Sequence, residues 1–436
     1  MNREIFRLAI PNMISHITVP LMGIFSTSIA GHLGDGAHTI GALAVGVSIF
    51  NFIYWNCSFV RMSTSGFTAQ AFGAGRFDET TAMLLRAVVV SLFLGVALLL
   101  LQRPLGEMAL WLMNGDDLVA QYLYARVWAV PAGIMLFGLN GWFTGMQNAV
   151  IPMITAIVVN VMHVACSLWF VFGCDMGIAG IAYAAVVAQW SGLLLSVVLL
   201  VAKFRHTLRR VRIAEVLDVK PMREFFRANA DIMVRTFCIV VVYTFFTAAS
   251  SRLGDAVLLA VNSMLMQLFT LFSYMNDGFA YAAEALTGRF VGAQNREMLN
   301  KTVRYSLVWT FCIALFCVAV YVGWWRDILD LFIDDNGLQR EQLFAAAERY
   351  VGWVIVIPLV SAFPFLIDGV MVGATLTRTM RDTMLLATVA HFAIYFATRP
   401  FLGNDAIWLA FTFYMVMRGV LQYVMSAQIR SIVRGR

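Results

Sequence analysis

Apolar stretches of at least about 18 residues recur along the whole chain, and each is long enough to cross a hydrocarbon core of about 30 Å as a helix. Only 13% of the residues are charged, about half the share in an average soluble domain. Lipid must therefore solvate most of the surface. The pattern predicts an all-α integral membrane protein with twelve transmembrane helices, over residues 8–31, 40–62, 82–102, 120–145, 150–173, 178–202, 229–251, 256–287, 302–324, 346–374, 382–402 and 405–428.

The basic residues follow the pattern of membrane topology rather than that of nucleic-acid binding, although the net charge is +6. Lys and Arg concentrate in residues 203–227, a segment that follows an even number of predicted spans and so lies on the same side as both termini. Short basic loops mark the cytoplasmic side of a membrane. We therefore expect a multi-pass protein of the cell inner (cytoplasmic) membrane with both termini in the cytoplasm, and no nucleic-acid partner.

The chain contains an internal repeat with an offset of about 220 residues, far longer than a solenoid unit. The matching positions are 33–35 with 253–255, 68–74 with 287–293, and Gly141 and Gly145 with Gly369 and Gly373. Glycines four residues apart are typical of helices that pack closely. Since each copy has six spans, both run in the same direction. We predict two pseudo-symmetric six-helix lobes around a central cavity: an amino-terminal lobe 1–202, a basic cytoplasmic linker 203–227 and a carboxy-terminal lobe 228–436.

Five segments carry a family resemblance: GHLGD at Gly31, RMSTSGFTAQAFGAG at Arg61, NADIMVR at Asn229, NDGFAYAAEA at Asn276 and LIDGVMVGAT at Leu366. Together they resemble the multidrug and toxic compound extrusion (MATE) transporters, in the branch of DNA-damage-inducible protein F, over essentially the whole chain. The resemblance implies a secondary active multidrug efflux antiporter, not an enzyme. It would export lipophilic or cationic organic compounds by alternating access coupled to proton or sodium entry. We expect small organic substrates and membrane lipid as partners, a monomer, and no metal or cofactor beyond the coupling ion.

Two other functions are open alternatives. A flippase for lipid-linked precursors, from the related superfamily, would have several basic residues in its cavity, and at most Arg235 and Arg61 qualify. A membrane-embedded enzyme would need a nucleophile with its base or a set of metal ligands, and neither His-Glu-x-x-His nor Gly-x-Ser-x-Gly occurs. The sequence therefore favours the antiporter.

The first half departs from the pattern that the resemblance implies. Many family members carry an Asp in the first span and another in the fifth, shortly before a Trp; the matching residues here are Ser26 and Ser167. No Asp or Glu lies within the predicted amino-terminal spans, so that proton site does not carry over. Asn160, His163 and Ser167 share one helix face by spacing, and with Ser26 they form a candidate neutral polar patch in the substrate cavity. A packed, hydrogen-bonded His163 is the alternative.

The second half carries five candidate charged residues within its predicted spans, where a charge costs at least about 2.5 kcal/mol unless it is paired or hydrated. Asp231, Arg235, Asp277, Glu284 and Asp368 are therefore candidates for the coupling-ion or proton site. Asp231 and Arg235 lie four residues apart, so they are predicted to pair on one helix face. Arg235 could instead be the counter-ion of the coupling acids.

Polar side chains form a stripe in the eighth span, where Tyr274, Asp277, Tyr281 and Glu284 are three, four and three residues apart. Residues at these spacings share one helix face, and a face with two carboxyl groups and two phenols is expected to line a cavity. In the alternative interpretation, Asp277 caps a broken helix before Gly278 and Glu284 reaches the membrane interface.

Asp368 occupies the position that Asn140 holds in the first half of the repeat. An ionisable group in place of a neutral amide suggests a role in ion coupling, whereas Asn140 is a candidate for the substrate cavity. Sodium-type family members often combine an Asp in span ten with a Glu in span seven. The sequence around Ile239, where that Glu would lie, is apolar. We therefore predict that coupling depends on the carboxyl groups of the second half, with protons favoured over sodium.

Overall fold

The computed structural model describes residues 1–33, 36–208, 216, 218–330 and 337–425, and these residues are almost entirely helical. The first half of the chain forms nine α-helices within these ranges: α1 (Asn2–Gly31), α2 (Gly36–Cys57), α3 (Phe59–Gly73), α4 (Phe77–Leu100), α5 (Gln102–Met113), α6 (Asp117–Arg126), α7 (Val130–Gly145), α8 (Val150–Leu168) and α9 (Gly177–Phe204). A 3₁₀ turn, Val127–Ala129, joins α6 to α7, and a π-helical turn, Trp169–Gly173, extends α8.

The second half forms six α-helices in the described ranges. They are α10 (Val219–Ser251), α11 (Ala256–Gly292), α12 (Arg296–Asp330), α13 (Gly337–Gly373), α14 (Thr377–Leu402) and α15 (Asn404–Met425).

Twelve helical segments of the described chain are long and apolar enough to cross a membrane, as predicted. Two of them combine neighbouring helices, α2 with α3 and α6 with α7. Helix α5 has only 12 residues and is therefore about 18 Å long, too short to span. Several helices extend beyond the predicted spans, for example Arg296–Asp330 against the predicted 302–324. Their end turns contain charged residues that hydropathy excludes but that a helix accommodates outside the hydrocarbon core.

The chain divides into two compact units, Ile10–Asn229, here the amino-terminal unit, and Met1–Ala9 with Ala230–Arg436, here the carboxy-terminal unit. The predicted amino-terminal lobe 1–202 differs from its unit at the start of the chain, because the first turns of α1 pack with the second half. Oε1 of Glu4 lies 3.3 Å from Nη1 of Arg289, and the ring centroid of Phe6 lies 4.6 Å from that of Trp309. In the predicted linker 203–227, residues 209–215 and 217 lie outside the described residues.

An aromatic core holds together the helices that carry the charged residues of the carboxy-terminal unit. The ring of Phe269 in α11 lies 5.3 Å from that of Phe411 in α15, centroid to centroid, and both side chains are fully buried. The indole N–H of Trp408 donates to Oδ1 of Asn262 at 2.9 Å, and Asn262 also donates to Asn404 at 2.7 Å. Close van der Waals packing of such side chains stabilises the association of helices in a membrane, while the polar contacts fix the orientation of the helices.

Asp116 caps the start of α6, the helix that carries Arg126. Its Oδ1 accepts from the backbone N–H of Val119 at 3.0 Å, and Oδ2 lies 2.5 Å from Nε2 of His38 at the start of α2. The Val119 N–H, together with His38, holds the pKa of the Asp116 carboxyl below its usual range. The cap therefore ties the beginning of α6 to the beginning of α2.

The glycine pairs of the internal repeat lie at equivalent helix crossings, one in each unit. A Cβ atom added at Gly141 in α7 would collide with the carbonyl oxygen of Arg61 in α3. One added at Gly369 in α13 would collide with the carbonyl oxygen of Ala280 in α11. The prediction that these glycines allow close helix packing is confirmed, and the two crossings place Asn140 and Asp368 in matching positions.

We expect Gly369→Val to destabilise the protein strongly, because the added side chain meets backbone atoms of α11 that cannot move aside. Overpacking of this kind costs about 1–3 kcal/mol or more. The control is Gly352→Val in the same helix, since no atom lies within 4 Å of an added Cβ there. Thermal unfolding of the detergent-purified variants is the measurement, and equal melting temperatures for the two variants would contradict the close crossing.

Candidate functional site

Asp368 lies at the centre of a buried ion cluster in the carboxy-terminal unit. Nη2 of Arg235 and Nη2 of Arg418 both donate to its Oδ2, and Nε2 of Gln422 donates to its Oδ1. Asp368 is 5% exposed, Arg418 2% and Gln422 0%. We call these four residues the Asp368 cluster. It joins three helices, since Arg235 lies in α10, Asp368 in α13 and the other two in α15.

The helical periodicity of the sequence explains part of this arrangement. Arg418 and Gln422 are four residues apart, so both project from the same face of α15 towards α13. Cζ of Arg418 also lies 5.1 Å from the ring centroid of Phe365, one turn before Asp368. With two guanidinium groups for one carboxylate, the Asp368 cluster carries a net positive charge when Asp368 is ionised.

Asp231 does not pair with Arg235, so that prediction is wrong. Its Oδ1 lies 2.6 Å from Nη1 of Arg381, and its Oδ2 accepts from the hydroxyl of Thr377 at 3.1 Å. Both partners lie in the first two turns of α14. Spacing along α10 allows either pairing, but Asp231 lies at the level where α14 begins, whereas the longer side chain of Arg235 reaches Asp368 in α13. The second interpretation, Arg235 as counter-ion of a candidate acid, agrees with this geometry.

The predicted stripe on α11 is buried to different degrees along its length. Glu284 is 1% exposed, whereas Tyr274, Asp277 and Tyr281 are half-buried. Helix α11 is continuous from Ala256 to Gly292, so Asp277 does not cap a broken helix. The Glu284 side chain is buried within the protein, and its backbone carbonyl faces Gly373 at the α11–α13 crossing. The alternative interpretation of the stripe is therefore wrong for Asp277, and the interfacial position of Glu284 stays a prediction.

Asn140 precedes Gly141 in α7 as Asp368 precedes Gly369 in α13. It is half-buried, and its Oδ1 has no hydrogen-bond partner among the described residues. Asp368 by contrast accepts from three side chains. The repeat therefore gives both units the same backbone crossing, but of this pair of equivalent positions only that of the carboxy-terminal unit carries a cluster of ionised groups.

The predicted polar patch of the amino-terminal unit is partly brought together. His163 and Ser167 are buried on α8, and Nδ1 of His163 lies 3.0 Å from Sδ of Met22 in α1. Ser26, one turn further along α1, is 9% exposed, and Asn160 is half-buried. Among the described residues, Nε2 of His163 and Oγ of Ser167 have no hydrogen-bond partner. His163 is therefore packed, and both the thioether sulfur of Met22 and the backbone of Ile181 interact with its ring.

The buried charged side chains that the structure describes in the amino-terminal unit are all positive. Among its described residues, Arg61, Arg86 and Arg126 are buried, and no Asp or Glu is. Nε of Arg86 donates to the carbonyl oxygen of Val216 at 2.9 Å. Arg126 donates through Nη1 to the hydroxyl of Tyr122, one turn earlier in α6. Sequence reasoning considered Arg61 but missed Arg86 and Arg126.

Arg418 in the carboxy-terminal unit was missed for the same reason as Arg86 and Arg126. One charge in an apolar window of 18 residues lowers the mean hydropathy too little to interrupt a predicted span. A direct search for Lys and Arg inside the spans would have found all three. The sequence analysis therefore singled out fewer basic residues within the spans than the structure buries.

Known proteins resemble this chain over nearly its whole length. The MatE family model matches residues 11–169 and 232–396. DNA damage-inducible protein F of Escherichia coli (strain K12) is 33% identical over 96% of this chain and 90% of that protein. A probable multidrug resistance protein NorM of Deinococcus radiodurans is 24% identical over 96% of this chain and 93% of that protein. A solved outward-facing multidrug resistance MATE family transporter has the same fold, with a TM-score of 0.87 at 17% identity, over 99% of this chain and 96% of that one.

The family model matches twice, once in each half, and the two matches contain the equivalent positions of the internal repeat. Members of this family are transporters rather than enzymes, and the family match favours drug efflux over precursor flipping. The chain is a multi-pass membrane protein, and it belongs to the MATE family of multidrug efflux transporters, as its sequence motifs predicted.

Proposed function

We propose that this chain is a secondary active antiporter that exports lipophilic organic compounds by alternating access, driven by proton entry at the Asp368 cluster. The observation that carries the proposal is the single carboxylate of Asp368 bridging Arg235 in α10 and Arg418 in α15. A proton on Asp368 removes the charge that both guanidinium groups share. Protonation therefore weakens the ion pairs that connect α10, α13 and α15. Because these contacts depend on whether the proton is bound, proton binding shifts the equilibrium between conformations.

The hydrogen-bond partners of Asp368 favour a proton over a sodium ion. Each of its three described partners is an N–H donor, two of them positively charged. Hard metal cations bind to several oxygen ligands, and an adjacent guanidinium group repels them. A proton needs only the carboxylate itself. This supports proton coupling.

The remaining parts of the proposal concern the membrane location, topology, oligomeric state and partners of the protein. The distribution of Lys and Arg supports an inner-membrane protein with both termini in the cytoplasm. We propose a monomer that binds small organic substrates and membrane lipid. Cationic compounds belong to the expected substrates of the family resemblance, and the charged probes described below test that expectation.

Transport in proteoliposomes with separately imposed pH and sodium gradients tests the coupling ion. We expect efflux of a lipophilic dye to follow the pH gradient and to be unchanged when the sodium gradient is reversed at constant pH. A response to sodium alone would contradict proton coupling. Absence of efflux under every gradient, from protein that melts cooperatively, would contradict the antiporter itself.

We also expect pH-driven efflux to depend more on the carboxyl groups of the carboxy-terminal unit than on Ser26 and Ser167, the serines at the positions where many family members carry an Asp. Asp277→Asn, Glu284→Gln and Asp368→Asn should each lower pH-driven efflux more than Ser26→Ala or Ser167→Ala. The initial rates of dye efflux at equal protein density are the measurement. Equal rates in all five variants would place coupling outside this set of acids.

A further inference from the structure

Arg126 is a buried cation that the proposed coupling mechanism does not use. It lies at the end of α6 and is 9% exposed. Among the described residues, no carboxylate lies within ion-pair distance of it. A guanidinium group stays charged in proteins, and a charge inside a membrane span is costly unless another group compensates it. The other buried charged side chains described in this unit, Arg61 and Arg86, carry the same sign.

Aromatic rings from α2 and α6 lie against Arg126, and His163 of α8 lies within electrostatic range of its guanidinium group. Cζ of Arg126 lies 4.8 Å from the ring centroid of Phe50 and 5.4 Å from that of Tyr122. The ring of Phe50 in turn lies 6.4 Å from that of Tyr54 and 6.3 Å from that of Tyr122. The two helices can approach because the Tyr122 ring packs on Gly46, where a Cβ atom would collide with it. We call Phe50, Tyr54, Tyr122 and Arg126 the Arg126 cluster.

Hydrogen-bond donors outnumber acceptors in the Arg126 cluster. Nε of Arg126 and the hydroxyl of Tyr54 are buried without a hydrogen-bond partner among the described residues. The Tyr122 hydroxyl oxygen accepts from Arg126, so its own proton is still available to donate. A buried donor without an acceptor costs free energy. An anionic oxygen would accept from these donors and would also compensate the guanidinium charge, whereas a cation would be repelled.

We propose that the Arg126 cluster binds the anionic group, a carboxylate or sulfonate, of an amphiphilic organic substrate. The guanidinium group and the two phenol hydroxyls hold the anion, and the half-buried ring of Tyr54 contacts the adjoining apolar body of the molecule. The inference rests on the proposed export function and narrows its substrate class. It differs from the cationic substrates that the family resemblance implied, because the described buried charges of the amino-terminal unit are exclusively positive.

Binding of two probes of matched shape to the detergent-purified full chain tests this inference. The probes are 2-naphthalenesulfonate and (2-naphthyl)trimethylammonium, with affinity measured by isothermal titration calorimetry. We expect the wild-type protein to prefer the sulfonate, and Arg126→Gln to weaken sulfonate binding by about 10-fold or more, as for loss of a charge-assisted hydrogen bond. The same substitution should strengthen binding of the ammonium probe, because it removes a repulsive charge.

Arg86→Gln is the matched control, since Arg86 is a buried arginine of the same unit whose Nε already donates to a carbonyl oxygen. It should leave sulfonate affinity unchanged. If Arg126→Gln does not fold, Arg126→Lys and Tyr54→Phe replace it, and both should weaken sulfonate binding. Unchanged sulfonate affinity in folded Arg126→Gln, or in both replacement variants, would overturn the proposal.

A lipid headgroup is the other possible source of an anion at Arg126. Native mass spectrometry with added phosphatidylglycerol separates the two sources. Lipid retained by the wild-type protein and lost in Arg126→Gln, together with unchanged sulfonate affinity, would overturn the substrate assignment. The proposed function is tested separately: proton-driven efflux of the lipophilic dye without sulfonate binding would reject only the Arg126 inference. Arg126-dependent sulfonate binding without any driven efflux would reject only the antiporter.

Discussion

Replacing Asp368 with Asn is expected to reduce pH-driven efflux to the level of protein-free liposomes. Asn cannot take up and release a proton, so the link between Arg235, Arg418 and α13 no longer depends on pH. Dye efflux down an imposed pH gradient is the measurement. Passive equilibrium exchange of the dye should persist if the substrate path is intact, which separates a coupling defect from a blocked transporter.

The control for this variant must separate lost coupling from lost stability. Asp368→Asn leaves two guanidinium groups buried without their carboxylate, and breaking a buried ion pair costs about 3–5 kcal/mol. A triple variant removes all three charges together: Arg235→Gln, Asp368→Asn and Arg418→Gln. It should be more stable than Asp368→Asn alone and still lack coupling. Asn140→Ala, at the equivalent position of the first half, should keep coupling. Normal pH-driven efflux in the charge-free variant would reject Asp368 as the proton site.

Arg235→Gln alone is expected to shift the pH profile of efflux to more alkaline pH, by about 1 unit or more, because an acid with fewer positive neighbours takes up its proton more easily. Arg418 still contacts Asp368 in this variant, so efflux should continue. Initial rates of efflux at constant gradient size, over a series of absolute pH values, are the measurement.

The matched control for Arg235→Gln is the charge-free pair Asp231→Asn, Arg381→Gln. Asp231 is as buried as Asp368 and pairs with the partly exposed Arg381 at 2.6 Å. Replacing both members of an ion pair leaves no buried charge unpaired and is often close to neutral. If only the Asp368 cluster couples protons, this control keeps the wild-type profile. Loss of pH-driven efflux in the control would assign coupling to Asp231, and an unchanged profile in well-folded Arg235→Gln would reject Arg235 as the counter-ion of the proton site.

The sequence alone was sufficient to predict the membrane-spanning helices and the repeat. Hydropathy depends on which residues follow one another along the chain, so averages over about 18 residues locate helices that lipid must surround. The close helix packing at Gly141 and Gly369 was also predictable, because only a residue without a side chain allows two backbones to approach so closely. Both features are local properties of one or two segments.

The carboxyl residues of the candidate site were visible in the sequence, but their partners were not. Asp231 and Arg235 are one turn apart on α10, and helical spacing alone favours pairing them. Which neighbour each one meets depends on the rotation of α10 about its axis and on the level at which α13 and α14 begin. Those quantities are set by packing of apolar surface around the whole unit, so Asp231 meets Arg381 and Arg235 meets Asp368.

The buried arginines show which features the sequence predicts and which only the tertiary structure decides. Arg126 and Arg418 lie in spans whose mean hydropathy, 1.3 in each, is still that of a candidate membrane span. The sequence therefore predicted that these helices insert, but not whether a single cation faces lipid, water or protein. The tertiary structure decided this: Arg418 lies against Asp368, and Arg126 lies among aromatic rings without a described acid. A charge in a membrane is stabilised only by groups that come near it in space, and nearness in space is decided by how the helices pack.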